Sequence, residues 1–221
     1  MKPRHLPLAG LLFGLALAAP VAHSGKVTGW THGTQLIGLV TSNDDVLISG
    51  QITATGTFTL QLTDQSAMMR PYLKTTDRLY FVGASCSADQ CGVKISDPDA
   101  RWNVIKALHV QGNPELRGIS LISGDDMDAE LDVLDPDPWR PRQGRYFAYA
   151  ERPVTVIGSV ITKETRDTVA SEQRYNLKLP AGWSMVERFE EYVFNPDQSM
   201  KLHLMGMRSV PMTPQTWAVK K

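Results

Sequence analysis

Residues 57–62, TFTLQL, alternate strictly: Phe58, Leu60 and Leu62 fall on one parity and Thr57, Thr59 and Gln61 on the other. A period of two is that of a strand with one buried face. Residues 46–53 form a second β-prone run, and Ala54, Thr55 and Gly56 link the two. A short link containing glycine turns the chain back on itself, so residues 46–62 read as a β-hairpin.

The same texture of short β runs and polar turns continues along the chain. Residues 26–29 and 34–41 read as strands separated by His32 and Gly33, and 42–45 (SNDD) as a turn. Residues 64–77 are less regular and read as a loop over a sheet edge. The run 79–84 (LYFVGA) is continuously apolar, as in a strand buried on both faces, and 93–96 follows it. Within 102–110, Trp102, Val104, Leu108 and Val110 share a parity that Lys106 interrupts. Trp102, Ile105 and Leu108 also fit a helix, so both readings stand. Further strands are expected over 116–123, 146–150, 154–161, 175–179 and 201–207, with a polar hairpin tip over 166–173. Residues 184–194 suit a strand or a helix, because Val186, Phe189 and Val193 share helical spacing. The tail ends in Trp217 and two lysines.

One internal echo links two of these runs. Ile48-Ser49-Gly50-Gln51-Ile52 resembles Val156-Ile157-Gly158-Ser159-Val160, and each precedes an alternating run led by an aromatic, Phe58 or Tyr175. A duplicated hairpin unit gives such an echo, and so do two unrelated hairpins whose central glycine lets a strand bend.

Composition narrows the class. The 221 residues carry 23 basic and 23 acidic side chains, so no global field points to nucleic acid or an anionic membrane. The N-terminus reads as an address. Lys2 and Arg4 precede an apolar stretch over 6–19, shorter than the roughly 20 residues of a membrane span. Pro20 breaks that stretch, and Ala22 and Ser24 put small residues at −3 and −1 of a cut before Gly25. The expectation is a signal peptide over 1–24 and a soluble mature chain over 25–221, periplasmic or extracellular, with no remaining membrane span. An uncleaved N-terminal anchor is the alternative.

Candidate chemistry is sparse. Cys86 and Cys91 are the only cysteines, and in an exported chain such a pair most often forms a disulfide. The loop is short, so the bond would act as a local staple of about 2 kcal/mol. Zinc would need two more ligands, and His32, His109 and His203 are scattered singly. Metalloprotease, phosphate-loop and dinucleotide motifs are absent from the sequence. No catalytic residue, metal ligand or cofactor is assigned, although a site assembled in space leaves no sequential trace. Over 125–137, Asp126, Asp128, Glu130 and Asp132 recur every second residue. An EF-hand loop needs glycine and glutamate where Leu131 and Asp137 stand, so the stretch reads as a strand with solvated carboxylates. Arg140, Arg142 and Arg145 follow closely enough to answer those acids. Among the tryptophans, Trp102 and Trp183 are expected in the core. Trp139, between Pro138 and Arg140, is the candidate for an exposed binding aromatic, with packing on a sheet edge as the alternative.

The layout Gly-x-Ile-Thr-x-x-Gly-x-Phe-x-Leu-x-Leu at 50–62 resembles the second half of carboxypeptidase regulatory-like and transthyretin-like β-sandwich modules. The wider order is similar to a set of bacterial exported β proteins. Its marks are that hairpin, a downstream cysteine, 149–160 (YAERPVTVIGSV) and Leu-x-Leu-x-x-Gly-Trp at 177–183. The resemblance implies fold and export, and it carries no functional residues. The expected architecture is all-β and antiparallel, a two-sheet β-sandwich, either one core or two halves over 25–98 and 101–221. The expected role is a non-catalytic module binding a protein or glycan partner. A hydrolase with a site assembled in space and a purely structural surface component are the alternatives.

Overall fold

The computed structural model describes residues 21–41, 43, 45–76, 92–105, 108–116, 119–125, 139–162 and 170–220. These residues are nearly all β. The first strands are β1 (Val21–Val27), β2 (Gln35–Val40), β3 (Val46–Ile52), β4 (Thr57–Leu62), β5 (Lys74–Thr75), β6 (Val93–Ile95) and β7 (Arg101–Ile105). After them come β8 (Leu108–Gln111), β9 (Ser120–Gly124), β10 (Arg142–Ala150) and β11 (Val154–Thr162). The last four are β12 (Ser171–Leu179), β13 (Gly182–Phe194), β14 (Met200–Val210) and β15 (Gln215–Lys220).

The expected β-sandwich gives way to a closed barrel. Seven strands run in the order β15-β1-β4-β3-β2-β8-β9, and β9 pairs again with β15 to complete the ring. All of these pairings are antiparallel except β1 with β15. Closure removes the unpaired edges that an open sheet would present. The alternation of β4 turns Phe58, Leu60 and Leu62 inward, as its period predicts. Ile37, Leu39, Ile52, Leu108, Leu121 and Trp217 fill the same interior. The C-terminal residues therefore form the seam-closing strand, where the sequence suggested only a tail.

β9 also pairs with β10, through Gly144 opposite Gly124 and Arg145 opposite Ser123. From there a second sheet continues β10-β13-β14-β12-β11-β6, while β7 lies against β10 and β5 against β7. β6 ends this sheet and β7 lies one strand from its other end, yet only residues 96–100 separate them. Five residues reach at most about 18 Å, so the sheet is curled back on itself. Trp102, Tyr146, Ala148, Val156, Tyr175, Leu177, Val186 and Met207 pack together on one face as a second core.

β10 serves both cores. Phe147 and Tyr149 face the barrel cluster, while Tyr146, Ala148 and Ala150 face the second. The apolar run 146–150 (YFAYA) is thus a strand buried on both sides. Two further ties join the halves: the Tyr149 hydroxyl donates to Asp64, and the Trp183 indole donates to the Thr63 carbonyl at 2.7 Å.

The ambiguous runs resolve as strands. Residues 102–110 split into β7 and β8, which belong to different sheets, so Trp102 enters one core and Leu108 the other. Residues 184–194 lie wholly within β13. The echoed glycines differ in register: Gly50 lies opposite Leu60, but Gly158 lies opposite Tyr175. Cys86, Cys91, the run 79–84 and the acidic residues 126–138 lie outside the described residues.

Candidate functional site

Strand pairing builds one cluster of aromatic and ionisable groups from separate parts of the chain. Across the second sheet one row reads Arg142, Glu190, Met205, Gln173 and Val160, each paired with the next. The neighbouring row holds Tyr192, His203 and Ser171. Side chains two apart on a strand share a face, so Glu190 and Tyr192 point the same way, as do His203 and Met205.

Glu190 is the hub. His203 Nε2 lies 2.6 Å from its Oε1, and the Tyr192 hydroxyl donates to the same oxygen at 2.8 Å. The Arg142 guanidinium, 9% exposed, lies 3.5 Å from Oε2. The hydrogen bond from His203, helped by those from Tyr192 and the charge of Arg142, holds the Glu190 carboxyl below its ordinary range. Burial, then the bond to Glu190, pushes the Tyr192 phenol up to about 12. Glu190 is thus ionised and saturated with donors at neutral pH, which suits it to fixing its neighbours in place.

The rings so fixed form a short ladder. Tyr192 and His203 stack with centroids 4.8 Å apart and planes 7° from parallel. Trp139 meets Tyr192 edge-on at 5.1 Å and 74°. An edge-on contact covers only part of an indole, and Trp139 remains 45% exposed. Trp139 thus packs edge-on against Tyr192 of β13 and still presents part of its surface to solvent. Trp102 and Trp183 are buried, as expected.

Among the described residues, the arginines that follow the acidic stretch pair both with its first acid and with β13. Arg140 pairs with Asp125 at 2.9 Å, Arg142 with Glu190, and Arg145 with Glu187 at 3.0 Å. Glu187 is 2% exposed and also accepts from Arg208.

A second surface lies on the opposite face of the same strands. It is a depression of about 600 Å³ lined by Ile157, Arg174, Asn176, Phe189 and Arg208 among others. Its guanidinium groups are already engaged, Arg174 with Glu172 at 2.8 and 2.9 Å and Arg208 with Glu187. Phe189 lies across Gly206, under the Arg208 guanidinium at 5.5 Å. Both guanidinium groups of this depression are thus paired within the protein.

Of the ladder, only Trp139 stood out in the sequence. In the sequence Arg142 reads only as an answer to the acidic stretch and His203 as an isolated histidine, while nothing singles out Glu190 or Tyr192. Glu190 and Tyr192 at i and i+2 on a strand were a local sign, but His203 and Arg142 join them only through register. Among the described residues no group of three or more His, Cys, Asp or Glu could hold a metal ion, and no helix is long and apolar enough to cross a membrane. No protein-family model, no curated protein and no solved structure matches the chain.

Proposed function

We propose that the protein is an exported, non-catalytic β module that binds a glycan, with Trp139 as its stacking platform. The observation that carries this reading is an indole left 45% exposed against the stacked rings of Tyr192 and His203. A sugar ring offers an apolar face and a polar rim, which an exposed aromatic beside hydrogen-bonding side chains complements. Glu190, surrounded by donors and held ionised, does not supply the raised-pKa general acid that glycoside hydrolysis needs.

The same reading takes the protein to the cell envelope or the extracellular space, through a basic and apolar leader, with Cys86 and Cys91 joined as a disulfide. The resemblance of 50–62 to carboxypeptidase regulatory-like and transthyretin-like modules enters this proposal for the β3–β4 hairpin alone. Calorimetric titration with soluble peptidoglycan fragments and with neutral β-glucan oligosaccharides tests it. Saturable binding to one of these, weakened at least tenfold by Trp139→Ala with unchanged circular dichroism, is expected. No saturable binding, or equal affinity in the variant, overturns it.

A further inference from the structure

We infer that the leader is removed between Ala18 and Ala19, so that the exported chain keeps residues 21–24 as part of its barrel. The inference rests on the export reading and moves the cut six residues upstream of the one that small residues at −3 and −1 first suggest.

A cut before Gly25 conflicts with β1. Six residues of β1, Val21 to Lys26, pair with β4, and four of those pairs belong to residues 21–24: Val21 with Leu62, Ala22 with Gln61, His23 with Leu60 and Ser24 with Thr59. Losing them would leave that length of β4 as an unpaired edge in an otherwise closed barrel. His23 is 1% exposed and contacts three core rings: Phe147 edge-on at 5.0 Å, with Phe58 and Trp217 at 6.4 and 6.5 Å. Its removal would open a hole among them.

The new terminus would be worse placed still. Gly25 is buried between β4 and β15, opposite Phe58 and Gln215. The Gly25 site is so crowded that a Cβ there would stand 2.5 Å from Phe58 Cζ and 2.8 Å from Trp217 Nε1. An α-ammonium created at Gly25 would bring a full charge into the buried barrel wall, which is unfavourable unless it is paired there.

Upstream, Ala16 and Ala18 supply small residues at −3 and −1 with Leu17 between them. This is the A-x-A pattern of leader cleavage, and an apolar run over 6–15 precedes it within the usual length. Cleavage there leaves Ala19 and Pro20 ahead of β1, and the terminal charge falls outside the strand. The step is a hydrolysis by the host's leader peptidase. Water adds its hydroxyl to the Ala18 carbonyl, the C–N bond breaks, and Ala19 leaves as an amine carrying the proton.

The test is intact-mass and N-terminal analysis of the full chain expressed in an exporting host, as wild type, Ala18→Gln and Ala22→Gln. Ala22 is exposed on β1, so its variant leaves the core untouched while spoiling −3 of the Gly25 cut. Expected are an Ala19 start in wild type, the same start in Ala22→Gln, and at least tenfold more unprocessed chain in Ala18→Gln. A Gly25 start, or processing blocked by Ala22→Gln, overturns the inference alone. A Met1 start in wild type overturns the export reading with it.

Discussion

Replacing Trp217 by alanine tests whether the C-terminal strand closes the barrel. Trp217 is 1% exposed, stacks on Phe147 at 5.9 Å and meets Phe58 edge-on at 5.7 Å. A tryptophan buries about 150–250 Å², which at roughly 25 cal/mol per Å² is about 4–6 kcal/mol of transfer free energy. Extended-chain areas overstate this, and measured Trp→Ala losses in cores run about 3–5 kcal/mol, which is the expected cost here. Trp217→Phe separates packing from polarity. The indole N–H has no hydrogen-bond partner among the described residues. Phenylalanine keeps an aromatic ring and removes that buried donor, so the two effects oppose and the change should stay within about 1.5 kcal/mol. Urea unfolding followed by far-ultraviolet circular dichroism measures both. A loss below about 1 kcal/mol for Trp217→Ala would place the tail outside the core. An equal loss for both variants would mean that the indole N–H is satisfied.

The remaining expectations use the same assay or simple chemistry. Burial lowers the His23 pKa from 6.5, and the rings of Phe58, Phe147 and Trp217 that face it carry no charge. A histidine kept neutral by folding adds stability above its unfolded pKa, and that stability is lost as the pH falls below it. His23→Leu should therefore gain on wild type between pH 7.5 and 5, and parallel stability curves would refute the assignment. Burial pushes the Glu187 carboxyl up, but hydrogen bonds from Arg208 and Arg145 outweigh it and the net shift is down. Glu187→Ala should cost about 2 kcal/mol at pH 7, the scale of hydrogen bonds to charged groups; a change under about 0.5 kcal/mol would show the cluster to be idle. Gly206→Ala would drive a Cβ into the Phe189 ring and to 2.7 Å from the Arg174 carbonyl oxygen. Such overpacking costs about 1–3 kcal/mol, and wild-type stability in that variant would mean that the ring lies elsewhere. Non-reducing peptide mapping of exported protein should link Cys86 to Cys91, and two free thiols would defeat that pairing.

What the sequence disclosed and what it hid divide along the range of the interactions. The β3–β4 hairpin was legible because Phe58, Leu60 and Leu62 alternate with polar residues over a turn of three. Trp139 was legible because its immediate neighbours, Pro138 and Arg140, suit a surface. Barrel closure was not, since it depends on β9 meeting β15 across some 90 residues, and the alternation of Gln215 and Trp217 is too brief to announce a strand. The start of β1 was masked by composition, because Ala22, Ser24 and Gly25 read equally well as the small residues of a cleavage site. Residues 102–110 misled by continuity, since one shared parity spans two strands that enter different cores. The Glu190 hub stayed hidden because Arg142 opposite Glu190 and Tyr192 opposite His203 are facts of register, and register emerges only when the sheet is assembled.

The glycan-binding proposal stands or falls on Trp139, and indole N–H resonances report on it directly. The chain holds five tryptophans, of which Trp30, Trp102, Trp183 and Trp217 are buried. Titrating nitrogen-15-labelled protein with soluble peptidoglycan fragments and β-glucan oligosaccharides should move the Trp139 indole signal saturably and leave the other four near their starting positions. No saturable shift at Trp139 with either ligand, or shifts confined to other tryptophans, would contradict the proposal.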